Sequence, residues 1–335
     1  MSGIVGHTMY AILAQRQLRQ QGASLADLLQ RNRDVYLNAA YLGCDIQTLP
    51  EAICVDTGKE VGYGTVPLSA SPLTGGPVRP WTLKFAGSEL TPRDIHRRFY
   101  GRTHLVFGWS PEERQLSVPW DHLPDYVSLV ARDGLQRGPD REAVIAWITG
   151  WLVHIVSDSL IKSIQPGLSM KLLDGLYTPA NRPIQDLYTW HRVGLAELQL
   201  DWTSLLQDLC NAPVLDVQLH AMRVARPSGY LPLDFPDGWN PAEEQLARRV
   251  CTENRRYLKL YLQQLLPRYQ LHEQDGVLQC TAELSRIANG MSWTEMQQEA
   301  IKAGMRDTLE QIATQTVQLI RETYRRVPSL AGSTG

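Results

Sequence analysis

Two side chains in this 335-residue chain have the types and the spacing to hold a cation. His154 and Asp158 lie four residues apart, so on a helix they share a face, one turn from each other. Trp147, Ile148, Trp151, Leu152 and Ile155 make the surrounding stretch apolar nearly all round, which implies burial. A carboxylate taken out of water costs several kcal/mol unless something compensates it. Neutral imidazole and carboxylate oxygen together form a borderline-hard ligand set that suits zinc, manganese or iron. The alternative is structural: a His–Asp hydrogen bond inside a helical core.

The elements that must position this pair read as helices. Asp140 caps the helix carrying it, Glu142 lies in the first turn, and the pattern runs to about residue 162. Residues 4–21 read as an amphipathic helix with Ala11, Ala14 and Leu18 at helical spacing and His7 at the head of the stripe. A second helix is expected over 25–42, ended by Gly43. Residues 50–88 are broken by glycine and proline into a long irregular excursion, of the kind that forms a lid or remains disordered. Thr91-Pro92-Arg93-Asp94 starts a short helix to about residue 100, and another is expected over 119–132. After a loop over 167–183, helices are expected at 184–198 and 202–209, with a turn-rich stretch over 215–239. Asn240-Pro241 starts a helix to about 266. Ser292-x-x-Glu295 is a capping box opening one last helix to about 326, with Ile301, Met305, Leu309, Ile312 and Leu319 as its apolar stripe.

The tract Gly150-Trp151-Leu152-Val153-His154-Ile155-Val156-Ser157-Asp158 is similar to the Gly-x-x-x-His-x-x-x-Asp helix of the zinc-dependent phospholipase C superfamily, which includes the fungal-type single-strand nucleases. Three more tracts follow in that family's order. His7-Thr8-Met9-Tyr10-Ala11-Ile12-Leu13-Ala14 resembles its N-terminal helix, and Ala39-Ala40-Tyr41-Leu42-Gly43-Cys44-Asp45 resembles the segment ending in a ligand aspartate. His104, followed by a loop and Pro119-Trp120, resembles the histidine that joins the first metal. The resemblance covers about residues 1–200. It implies an all-α, multi-helix bundle of the zinc-dependent phospholipase C type. On that footing residues 1–204 form the metal-binding domain, with the insertion at 50–88, and residues 205–335 form a helical C-terminal extension packed on it. It also implies His7, Asp45, His104, His154 and Asp158 as metal ligands, with Asp158 bridging two ions.

Departures from the family narrow that expectation. The chain starts Met1-Ser2-Gly3, where the secreted members use a processed N-terminal tryptophan as a ligand. Ile164 stands where the family has a histidine, and His191 is followed at His-x-x-x-Glu spacing by Leu195, with Glu197 two residues late. One or two divalent ions are therefore expected rather than three, zinc first, with iron or manganese as alternatives. His96 and His122 compete with His104; His96 reads as exposed, and His122 reads equally as a residue orienting a ligand or as a plain helix start. His220 and His272 read as structural or exposed.

By resemblance the reaction is hydrolysis of a phosphoester (lipid, nucleotide or small metabolite) by metal-activated water. Asp45 would be both ligand and base, and Lys162, one turn beyond Asp158, would face phosphate oxygens, as would Arg102. His191, beside Trp190, reads either as a general acid in the cleft or as a satisfied core histidine. Two other classes stay open. Missing ligands leave the open positions that a non-haem iron or manganese oxidoreductase needs. An incomplete ligand set and a long extra C-terminal portion also suit a degenerate binding or scaffold protein.

Composition bounds the partners. A net charge of −2 and a pI of about 6.5 give no electrostatic reason to expect nucleic acid. Arg248, Arg249, Arg255 and Arg256 are interleaved with Glu243, Glu244 and Glu253 and read as a solvated face. The five cysteines are widely spaced and read as reduced, mostly buried thiols. Residues 143–156 are apolar but too few to span a bilayer, and Gln15, Arg16, Arg19, Gln20 and Gln21 interrupt any signal-peptide pattern, so a cytoplasmic location is expected. The C-terminal helices are a candidate homodimer surface.

Overall fold

The computed structural model describes residues 3–42, 83–90, 106–107, 115–116, 118, 120–137, 140–161, 181–224, 240–327 and 330. The fold is all-α. Three N-terminal helices, α1 (Ile4–Gln20), α2 (Leu25–Arg31) and α3 (Arg33–Leu42), precede two short hairpins, β1–β2 (Leu83–Phe85, Ser88–Leu90) and β3–β4 (Val106–Phe107, Gln115–Leu116). A 3-10 turn at Trp120–His122 leads into α4 (Leu123–Arg137) and α5 (Arg141–Ile161). Then come α6 (Arg182–Leu187), continued by a π-helical stretch over Tyr188–Glu197, α7 (Trp202–Asn211), α8 (Asp216–Val224) and α9 (Pro241–Arg268). A third hairpin, β5–β6 (His272–Gln274, Val277–Gln279), precedes α10 (Ala282–Ile287), α11 (Trp293–Lys302) and α12 (Met305–Arg325).

Helix α5 is the centre of the bundle. It touches α1, α2, α3, α4, α8 and α12, so every side of it is buried, which accounts for its lack of a polar face. The stretch Arg141–Leu160 is apolar and long enough to cross a membrane, and its apolar window after the exposed first turn is buried inside the protein. One core cluster runs from Ile4 to Leu330, and residues on both sides of position 204 contribute to it. The apolar stripe of α12, including Met305, Leu309, Ile312 and Leu319, is buried, and the helix packs on α1 and α5.

Several elements differ from the sequence reading, each for a local reason. The single helix expected over 25–42 is two helices, because Asn32 breaks it. Its side-chain amide donates to the Leu28 carbonyl at 3.1 Å and to Glu142 at 3.2 Å, competing with continued helix. Arg31 grips the same Glu142 carboxylate at 2.6 Å, which ties this corner to the start of α5. The last helix is also two, because Gly304 adopts a left-handed conformation (φ +66°) that closes α11 and starts α12. Ile301, placed on the apolar stripe by spacing alone, is 57% exposed as a result. Within the turn-rich stretch, Asp216–Val224 is a helix, its start closed by Gln218, which accepts from the Leu215 N–H at 2.7 Å. Of the irregular excursion, only the β1–β2 hairpin contributes described residues; the helix expected over 91–100 lies outside them.

The pairing of α3 with α5 depends on Gly150. A Cβ there would lie 2.3 Å from the Tyr36 carbonyl oxygen and 2.8 Å from the Ala39 Cβ. With nothing at that position, the two backbones meet directly. Gly150→Ala gains about 1 kcal/mol of helix propensity, but the clash is with backbone, which cannot rotate away, and overpacking costs about 1–3 kcal/mol. The expected net outcome is a lower urea-denaturation midpoint; an unchanged midpoint would show that α3 can slide.

Candidate metal centre

The first turns of α1 and the last turns of α5 bring three chemically capable side chains together. His7, His154 and Asp158 are all fully buried, and one ligand atom from each lies within 4.8 Å of the others. His7 Nε2 is 3.3 Å from Asp158 Oδ1, and His154 Nε2 is 3.9 Å from Asp158 Oδ2. The simple structural alternative, a His154–Asp158 hydrogen bond along the helix, is therefore not formed, since 3.9 Å is too long for one. The His7 edge matches the roughly 3.3 Å separation of two ligands on a tetrahedral ion with bonds of about 2.05 Å.

The tautomer of His154 follows from its backbone contact. Its Nδ1 lies 2.9 Å from the Ala40 carbonyl, which can only accept, so Nδ1–H donates. In a neutral ring that leaves the Nε2 lone pair facing the carboxylate. Ala40 reaches this position because Gly150, one turn before His154, lets α3 approach. The two imidazoles stack with centroids 4.4 Å apart and an interplanar angle of 11°. Two imidazolium ions stacked at that distance would repel, so the group favours one cation, a proton or a metal ion, held against Asp158. Tyr10 meets His7 edge-on at 5.8 Å and Tyr41 is tilted against it at 6.2 Å, completing an aromatic wall.

Of the five ligands expected, His7, His154 and Asp158 converge. Asp45 and His104 lie outside the described residues, as do Lys162, Arg102 and His96.

His191 is not part of the group. Its Nε2–H donates to the Tyr269 carbonyl at 2.6 Å, and its ring leans on Trp293 at 5.6 Å. That is the contact the core-histidine alternative expects. Glu197, late for a ligand motif, is held by Arg306 through two bonds of 2.8 and 2.7 Å, which anchors the π-helical stretch to α12. Trp190 in that stretch stacks on Trp202 at 4.6 Å and on Tyr269 at 5.3 Å. His122 is exposed on its 3-10 turn. His220 pairs with Asp133 between α8 and α4, and His272 is exposed on a hairpin.

The arginine band of α9 is partly structural rather than solvated. Arg255 donates to the Ala212 and Pro213 carbonyls at 2.7 Å, just past the end of α7, and Arg249 to the Lys84 carbonyl at 2.7 Å. Cys210, Cys251 and Cys280 are buried thiols, and burial pushes Cys210 up to about 12, which makes it a poor nucleophile. Cys44 and Cys54 lie outside the described residues.

Two helpers of the site had no assigned role in the sequence reading: the Ala40 carbonyl and Ser157, whose Oγ is 3.3 Å from His7 Nδ1. A backbone carbonyl leaves no trace in residue type, and a serine between two ligands reads as filler until the helices are packed.

With this geometry established, comparison with known proteins yields nothing to extend it: no protein-family model, no curated protein and no solved structure matches the chain.

Burial lowers the His191 pKa below its ordinary 6.5, and the Tyr269 carbonyl offsets only part of that. A depressed folded value means that the native state resists protonation. Stability contributed by the neutral ring is present above pH 6.5 and is lost as pH falls below it toward the folded value. His191→Gln keeps an N–H for the Tyr269 carbonyl but does not titrate. It is expected to flatten the acid side of the stability profile, measured by urea melts from about pH 7 down to 5; parallel profiles for the two proteins would refute this.

Proposed function

We propose that this chain is a metal-dependent hydrolase of phosphoesters in which His7, His154 and Asp158 hold a divalent cation, zinc in the first instance. The observation that carries the reading is the convergence of two imidazoles and one carboxylate, drawn from two helices, at a fully buried point. Two histidines and one carboxylate, with a position left for water, is a donor set used by catalytic zinc. The ordered resemblance of four tracts to the zinc-dependent phospholipase C superfamily supports the same reading.

A zinc ion held by His7, His154 and Asp158 would supply hydroxide at neutral pH, since catalytic zinc lowers the pKa of bound water to about 7. The chain's own residues do the rest. His154, oriented by the Ala40 carbonyl, and His7 present neutral donors, while Asp158 supplies the compensating charge. Asp45 is proposed as a further ligand and base; it follows Ala40 by five residues, which extended span at most about 18 Å. Lys162, four residues after Asp158, is proposed to meet phosphate oxygens.

A second reading rests on the same three residues, because two histidines and one carboxylate also form the facial triad of non-haem iron oxygenases. Metal analysis of the full chain, purified without added metal, separates the two. Zinc supports the hydrolase and iron the oxidoreductase. Asp158→Asn is expected to weaken zinc binding by more than the roughly 10–100-fold that follows loss of a residue that merely orients a ligand. Hydrolysis of a generic phosphoester should fall with it and with chelation. A wild-type protein that binds neither metal would make the trio a buried His7–Asp158 ion pair and end this reading.

A further inference from the structure

We propose that Ser157 is a positioning residue that fixes which nitrogen of His7 faces the metal point. The inference rests on the metal reading above and assigns a role to a residue outside the ligand set. Ser157 lies one position before Asp158, yet its side chain turns to the other side of His7. Its Oγ is 3.3 Å from His7 Nδ1 and 3.2 Å from the His154 carbonyl oxygen.

The hydroxyl has one proton to give. The His154 carbonyl can only accept, so the Ser157 O–H is directed there. Its oxygen lone pairs are then left for His7 Nδ1, which must carry the proton in that contact. In a neutral ring His7 Nε2 is thereby bare, and it is Nε2 that lies 3.3 Å from Asp158 Oδ1. His154 arrives at the same state through a different partner, the Ala40 carbonyl. Both imidazoles consequently offer Nε2 lone pairs toward one carboxylate.

The two supports differ in kind. The Ala40 carbonyl is backbone and depends on the packing of α3 against α5 at Gly150. Ser157 is a side chain of α5 itself, so it can be removed without moving either helix. Serine to alanine deletes one oxygen and adds no volume.

The test uses the full-length apo protein with 15N-labelled histidine, read by long-range 1H–15N correlation at about pH 8, well above the ordinary imidazole value of about 6.5. In the wild type, His7 and His154 are both expected to show protonated Nδ1 and bare Nε2. In Ser157→Ala, His7 is expected to shift toward the Nε2–H form, while His154, held by Ala40, stays as it was and reports that the fold is intact. Zinc affinity, measured by competition with a chromophoric chelator, is expected to drop about 10–100-fold in the same variant. A wild-type His7 with its proton on Nε2 or on both nitrogens overturns the assignment, as does a Ser157→Ala protein with unchanged His7 signals. If zinc fails to bind the wild type while His7 shows the Nδ1–H form, the metal reading is lost and the tautomer assignment stands.

Discussion

The burial of α5 on every side constrains everything else in this protein. A helix that touches six others can spare no face for water, so each polar group it carries must find its partner inside the bundle. Most of α5 meets that condition by having apolar side chains. Thr149 does so by donating to the Ile145 carbonyl at 2.7 Å and sharing a contact with the Tyr324 hydroxyl. The His154 ring meets α3 through the Ala40 carbonyl and the Asp158 carboxylate meets α1 through His7, while Ser157, which donates to the His154 carbonyl of its own helix, also reaches His7.

The centre is thus a matter of charge compensation arranged by packing. Gly150 admits α3, α3 delivers the Ala40 carbonyl, and that carbonyl sets the His154 proton. On the other side α1 delivers His7 at its first turns, where Tyr10 and Tyr41 wall it in. Among the described residues, the centre sets the Asp158 carboxylate beside two imidazole nitrogens, in a region where charges interact strongly because water is excluded. An arrangement of this kind is unstable to the loss of any one member, since removing a partner leaves a buried charge uncompensated.

The C-terminal half belongs to the same construction. Helix α12 packs on both α1 and α5, and Arg306 at its start clamps Glu197 and Glu310, fixing the π-helical stretch beside α1. That stretch was legible as helix from its apolar spacing, but its wider winding was not. Trp190, Trp202 and Tyr269 stack only once three distant segments meet, and Gly194 is what leaves room for the Trp202 indole, which a Cβ there would approach to 2.6 Å.

The amino-acid order by itself marked most of the described helices and the burial of α5, though not the helix at Asp216–Val224, because the period of apolar residues and the caps at Asp140, Asn240 and Ser292 are local signals. It also determined that His154 and Asp158 share a face, since that follows from helical spacing alone. Where Asn32 and Gly304 interrupt a periodic run, it misled, because the apolar period continues through a break that one side-chain amide or one left-handed residue imposes. Only the tertiary structure decided that His7 stacks on His154, that the His154–Asp158 pair does not close on itself, and that Glu197 is taken by Arg306. Those outcomes depend on how closely two backbones approach at Gly150 and on which tautomer a distant carbonyl selects. Neither quantity is encoded in the spacing of residues along one chain.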